Sequence, residues 1–384
     1  MGAGLVSAQF MHPVKTSRRL PRRPVQMALR LAALLTTVTL LPVVSALERP
    51  GVEFKIFQFP ADQIPRIDGD PADWSIVPDS YAIGLDQLRE SPEGRRPDKK
   101  SLDVKVRLGW VKGLDRLFVL YEASDDYWDF ADHSRHSDIF ELVVDGDLSG
   151  GPLVTSRHQN SALVGPEAFF QFHGVHAQNY HIFTPAPERD WAFVWGCQPW
   201  IKELPWANAA YRYDFKPGGS GPLVLEFWIT PFDYAPYDGP ARAVVSKLTE
   251  NKIIGLSFAV LDYDDPKDPN PQGFWNLSHN SAMAGNADAL VAFRLMPLEA
   301  RFLKPIDARW SFKVLDMDRR EVAFHDDSIG QVTAWRWDFG DGTASTDQHP
   351  IHRYEKAGEY VVNLYIEGPS GKSRWTKVRD VVLR

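Results

Sequence analysis

Alternation of apolar and polar side chains dominates the chain after residue 50. Val104-Lys105-Val106-Arg107-Leu108-Gly109-Trp110 sends every second side chain to one face, and Arg116-Leu117-Phe118-Val119-Leu120-Tyr121 follows after a short turn. A period of two is that of a strand with one buried face. Further strands are expected at residues 139–144, 168–172, 223–229, 255–261 and 289–295. The segments between them are rich in Gly, Pro and Asp, which set turn dihedrals and cap free N–H groups. Only 231–237 and 241–248 offer a short helical pattern. Many short strands divided by turns predict an all-β protein built from sandwiches, not a parallel α/β sheet. Two connections are long. Residues 184–208 carry Trp191, Trp195, Trp200 and Trp206, and residues 262–287 carry an acidic run and Phe274-Trp275-Asn276. Long loops on a rigid scaffold are where binding residues concentrate.

The strand pattern breaks near Pro297–Pro305, which places a boundary between a large domain at 47–298 and a small one at 302–384. The second segment contains Trp335-Arg336-Trp337-Asp338-Phe339-Gly340-Asp341-Gly342-Thr343, then His349-Pro350-Ile351-His352-Arg353-Tyr354 and Ala357-Gly358-Glu359-Tyr360. Trp337 and Phe339 alternate into a core, and the Asp-Phe-Gly-Asp-Gly run makes a turn in which Gly supplies positive φ and Asp caps N–H groups. This segment closely resembles the PKD module, a small immunoglobulin-like β-sandwich. The resemblance implies a spacer or interaction unit rather than an enzyme.

The large domain resembles the family-9 carbohydrate-binding modules and the wider DOMON-like sandwich group at four places. These are Ile67-Asp68-Gly69-Asp70-Pro71-Ala72-Asp73-Trp74, where a Gly-Asp turn leads to a Trp, and the strand at 116–126, which ends in an acidic pair. The others are Ser137-Asp138-Ile139-Phe140-Glu141-Leu142-Val143-Val144-Asp145 and Gly221-Pro222-Leu223-Val224-Leu225-Glu226-Phe227-Trp228-Ile229, with an inward Glu226. The resemblance implies a DOMON-like β-sandwich that binds carbohydrate, with structural calcium common in the family.

The start of the chain reads as a targeting segment. Lys15, Arg18, Arg19, Arg22, Arg23 and Arg30 precede an apolar run at 31–44, and Val44-Ser45-Ala46 offers small residues for cleavage after Ala46. The run is shorter than the roughly 20 residues of a membrane span, so a signal peptide over 1–46 is expected. The product would be secreted, periplasmic or at the cell surface. The whole chain carries a formal charge of −7, and losing a basic leader makes it more acidic. Such a chain suits neither nucleic acid nor anionic lipid. With Cys197 alone, no intramolecular disulfide forms.

Thirteen Trp, 22 Phe and 12 Tyr exceed what the core needs, so some rings are expected to face a ligand. Sugars stack their C–H faces on Trp while their hydroxyls seek polar side chains, which marks the loop residues Trp128, Trp191, Trp195, Trp200 and Trp275, with His279, as the candidate carbohydrate site. Trp74, Trp110 and Trp228 fall in strand or turn patterns and are expected in the core. Asp125, Asp126, Glu141, Asp145 and Asp147 cluster around one predicted hairpin and are the candidate calcium ligands, since hard oxygen donors suit that ion. A second acidic run, Asp262 to Asp268, has the same chemistry. The histidines show no zinc spacing. The expected function is noncatalytic binding of a polysaccharide or oligosaccharide. A surface adhesion or structural protein binding another protein, an accessory to glycoside hydrolysis, and a haem-binding domain are the other readings.

Overall fold

The computed structural model describes residues 47–90, 94–131, 137–151 and 174–383. The expected signal peptide and the strand expected at 168–172 lie outside the described residues. Fourteen strands of the first domain are described: β1 (Glu53–Gln58), β2 (Ile83–Gly84), β3 (Leu102–Trp110), β4 (Leu117–Asp125), β5 (Ile139–Asp145), β6 (Gln178–Phe183), β7 (Ala192–Val194), β8 (Ala207–Tyr213), β9 (Gly221–Ile229), β10 (Phe232–Tyr234), β11 (Val244–Val245), β12 (Ile253–Asp262), β13 (Gly273–Asn276) and β14 (Val291–Leu295).

Twelve of them form one sheet folded into two leaves. The first leaf runs β7-β6-β5-β12-β14, with β13 also on β12, and the second runs β3-β4-β9-β8, with β2 on β3. Strand β1 joins them: residues 53–56 run parallel to β14 and residues 57–58 parallel to β3. A strand that changes leaf makes a corner of the sandwich. Alternation fills the space between the leaves with Val104, Val106, Leu108 and Trp110 of β3, Phe140, Leu142 and Val144 of β5, and Leu256, Phe258 and Val260 of β12. Outer faces are covered as well. Phe57, Phe59, Trp74, Phe118 and Trp228 pack outside the second leaf, and Ile139, Val143, Ala259, Met283 and Leu290 pack outside the first. Strand β5 is therefore buried at all seven positions, which hides the period of two in its sequence.

The opening motif and the late strand meet. Glu226 accepts from Gly69 N at 2.7 Å and from Trp74 Nε1 at 2.9 Å. Gly69 has φ 80°, and a Cβ there would lie 2.9 Å from the Tyr211 backbone, so no other residue fits without displacement. Glu226 was expected to point inward; it instead faces the outer side of the second leaf, because its neighbours Leu225 and Phe227 take the core positions. The helices expected near 231–248 are replaced by the two-stranded β10-β11 sheet and a single 3-10 turn, Pro240–Arg242. Pro231, Pro236 and Pro240 remove the N–H groups and dihedral freedom a longer helix requires. Trp74, Trp110 and Trp228 are core, as expected.

The small domain is a second sandwich. Strands β15 (Trp310–Asp316), β16 (Glu321–Asp326) and β19 (Ile351–Arg353) form one sheet; β18 (Ala344–Ser345), β17 (Ala334–Asp338), β20 (Gly358–Gly368) and β21 (Gly371–Leu383) form the other. Trp310, Phe324, Trp337, Phe339, Tyr354 and Leu364 are among the buried residues between them. The Asp-Gly turn forms as read. Asp338 accepts from Gly340 N and Asp341 from Thr343 N, each at 3.0 Å. Gly340 has φ 79°, and a Cβ would lie 2.5 Å from Val361 O. The protein is all-β: a large sandwich followed by a small immunoglobulin-like one.

Candidate functional site

Two polar clusters distinguish the first domain, one at the end of its core and one on the outside of its first leaf. Asp125 ends β4, Asp138 immediately precedes β5, and Asp262 ends β12. Counting by twos from Tyr121, Phe140 and Val260 turns all three carboxylates into the same end of the inter-leaf space. Each has an oxygen within 4.8 Å of the others, and their exposures are 4%, 2% and 5%. Asp125 also forms such a set with Asp126 and Asp264 nearer the surface.

Backbone and ring donors hold these groups. Asp138 accepts from Tyr263 N at 2.9 Å and Asp129 N at 2.7 Å, Asp262 from Trp275 Nε1 at 3.1 Å, and Asp125 from Tyr127 N at 3.2 Å. Asp262 Oδ1, Asp264 Oδ1 and the fully buried Tyr121 hydroxyl have no hydrogen-bond partner among the described residues. No basic side chain among the described residues pairs with Asp125, Asp138 or Asp262. Burial, then the neighbouring Asp262, pushes the Asp125 carboxyl up to about 8. Burial, then Asp264, pushes Asp262 up to about 6. Asp138 is raised well above the carboxylate range by burial and by Asp125. Three buried like charges require protons or a cation. An all-oxygen carboxylate set with unpartnered oxygens fits a hard divalent ion such as calcium, which Asp125, Asp138 and Asp262 would hold.

This arrangement redraws the five expected metal ligands. Asp125 and Asp126 converge, but on Asp264, Asp138 and Asp262 rather than on their own hairpin. Asp145 lies at the far end of β5, roughly 20 Å from Asp138 at strand rise. There it caps a turn by accepting from Gly150 N at 2.8 Å, and Asp147 accepts from Ser149 N at 3.1 Å. Glu141, odd-numbered on a strand whose even residues face the core, points to the opposite side of the leaf from Asp138.

Glu141 belongs to the second cluster. The register pairs Ala259 with Glu141 and Glu141 with His181; the next row on the same face is Ser257, Val143, Asn179. Glu141, Asn179, His181 and Ser257 thus lie side by side across three strands, with exposures of 3%, 0%, 4% and 0%. Asn179 donates to Glu141 Oε1 at 2.7 Å and to Ala284 O at 2.8 Å. His181 Nδ1 lies 3.7 Å from Glu141 Oε2, too far for a hydrogen bond. Both ring nitrogens of His181, Asn179 Oδ1 and Ser257 Oγ have no hydrogen-bond partner among the described residues. Trp195 stands edge-on to His181, with centroids 6.0 Å apart.

Of the tryptophans expected as platforms, Trp195 alone is brought to this face by the contacts described. Trp128 is 1% exposed, donates to Gly221 O and stacks on Phe215 at 5.2 Å; Trp275 is 6% exposed and donates to Asp262. Both give way to packing as the reading of their rings. Trp191 donates to Lys202 O and packs near Tyr180, and Trp200 donates to Pro236 O beside Trp206. His279, at φ 61°, is pinned by Gln87 O at 2.8 Å. Asp138, Asn179, His181 and Ser257 were missed as site residues. The run at 137–145 held part of the signal: Asp138 and Glu141, three residues apart in one extended run, must face opposite sides.

Among known proteins, residues 316–383 match the family model described as PKD domain. Collagenase ColQ1 of Bacillus cereus (strain Q1) is 44% identical over 46 residues, which is 12% of this chain and 5% of that protein's own length. The PKD1 domain of the metalloprotease PrtV of Vibrio cholerae has 28% identity, covers 19% of this chain and 93% of that chain, and has a TM-score of 0.18. A carbohydrate binding module family 9 (CBM9) from Caldicellulosiruptor kristjanssonii, solved in complex with glucose, is 13% identical, covers 65% of this chain and 97% of that one, and has a TM-score of 0.41. The C-terminal end of the chain thus resembles a PKD domain.

Proposed function

We propose that this is an exported, noncatalytic carbohydrate-binding protein whose saccharide site is the Glu141–Asn179–His181–Ser257 face of the first domain. The observation that carries the reading is the set of buried polar atoms on that face with no hydrogen-bond partner among the described residues. Each such group costs about 1–3 kcal/mol when left unmade. A row of them beside a half-buried Trp matches sugar hydroxyls in donors and acceptors, and because the four side chains are almost wholly covered, a saccharide reaches them only where that cover opens. Glu141 is the one carboxylate of that row, whereas glycoside hydrolysis uses a pair roughly 5–9 Å apart. The acidic end cluster serves as a structural calcium site, tying β4, β5 and β12 together beneath the loops. The basic leader and following apolar run support export, and no described helix is long and apolar enough to cross a membrane. The PKD domain acts as a spacer or contact unit.

The test is a glycan array probed with the chain and with Glu141→Gln, each with calcium and with chelator. Selective binding that is lost in the variant is expected, and chelator should weaken it. A blank array for the unaltered chain overturns the saccharide reading.

A further inference from the structure

The outer face of the four-stranded PKD sheet carries a feature unrelated to the first domain's clusters. Its register sets Arg336 of β17 opposite Tyr365 of β20, and Tyr365 opposite Arg374 of β21. Inward neighbours Trp337, Leu364 and Ile366 are core, so this row faces away from it. Both arginines are exposed. The Arg336 guanidinium lies 4.2 Å from the Tyr365 ring centroid and that of Arg374 lies 5.9 Å away. The ring thereby steadies two cationic forks on either side of it. Neither arginine has a carboxylate partner among the described residues. Of the acids in the two adjacent rows, Glu367 is taken by Lys372, and Asp338 accepts from Gly340 N. The row borders a groove of about 540 Å³ that also includes Trp335 and Thr346.

We propose that this face binds an anionic polysaccharide bearing a carboxylate on each ring, that is, a polyuronate. Arg336 and Arg374 stand two strands apart, about 10 Å at sheet spacing, and each fork is shaped for bidentate contact with a carboxylate. The ladder of β20 is paired on both sides, that of β17 is paired with β20 along its length and with β18 at Trp337 and Asp338, and ladder groups point within the sheet rather than out of its face. An extended acidic peptide on this face therefore gains no main-chain bonds, and its flexible Asp and Glu side chains lose rotamer freedom. Carboxylates fixed on rigid sugar rings lose less on binding. Because the chain as a whole is acidic, attraction to a polyanion must come from a local patch such as this one.

Affinity electrophoresis of the full chain in gels containing polygalacturonate tests the proposal. Arg336→Gln/Arg374→Gln is expected to bind about tenfold or more weakly, and Arg336→Lys/Arg374→Lys to fall between. Glu141→Gln should leave this binding unchanged, which separates it from the site in the first domain. Unaltered retention of the Gln variant, or no retention of the unaltered chain, overturns the proposal. Equal, arginine-dependent binding to poly-glutamate overturns the polysaccharide as occupant.

Discussion

Both domains bury aspartates beside a tryptophan, with opposite consequences. In the PKD sandwich, Asp326 accepts from Trp335 Nε1 at 2.7 Å, from Gln348 Nε2 at 3.1 Å and from Ser328 N at 3.1 Å. Burial alone would raise its carboxyl, but these hydrogen bonds from Ser328, Gln348 and Trp335 together hold it below its ordinary value. In the large sandwich, Trp275 supplies one bond to Asp262, while Asp125 and Asp138 crowd the same space and all three carboxyls are raised. A carboxylate whose lone pairs are filled by its own fold is a structural cap. One left with free oxygens among like charges is incomplete without a cation or a proton.

The comparison can be broken in several ways, the largest effect first. Asp326→Ala strands the Trp335 and Gln348 donors and should cost the PKD domain about 3 kcal/mol, read by denaturant unfolding of that domain. Calcium should stabilise only the large sandwich, by about 2.7 kcal/mol at a hundredfold excess over its Kd. Thermal unfolding with calcium and with chelator measures this. Asp125→Asn should abolish that shift yet change stability in chelator by no more than about 1 kcal/mol, because it removes one of the repelling charges. The smallest effect is in pH. Raised carboxyls bind protons more tightly in the folded state, so without calcium the large sandwich should lose stability as pH climbs from about 4 through 8. For Asp326 and Asp341, held low, the contribution is present above about 4 and is lost as pH falls below it. Hydrogen exchange resolved by domain, in chelator at both ends of the range, should show the opposite trends.

Local chemistry explains which parts were legible in sequence. The Asp338–Gly342 turn and the Gly69–Trp74 turn are read correctly because each is made by residues adjacent in the chain. Strict alternation in β3 shows its core face directly. The buried acidic cluster is assembled from the ends of β4, β5 and β12, so acids close in sequence, such as Asp145 and Asp147, mimic a grouping that draws on Asp138 and Asp262. Trp128 and Trp275 lie in loops by pattern, yet each loop folds back so that the ring N–H finds Gly221 O or Asp262. Their burial depends on non-local contacts that spacing does not encode. His181 and Asn179 sit on β6, whose place beside β5 follows only from the completed sheet.

The central claim, that the outer face of the first leaf is a saccharide site, is tested most directly by calorimetric titration. The glycan best retained on the array is titrated into the chain and into Glu141→Gln/His181→Ala, with calcium present and folding checked by thermal melts. Binding by the unaltered chain and at least about a tenfold loss in the folded variant is the predicted result. Equal affinity in the two would show that the sugar is held elsewhere and would contradict the account.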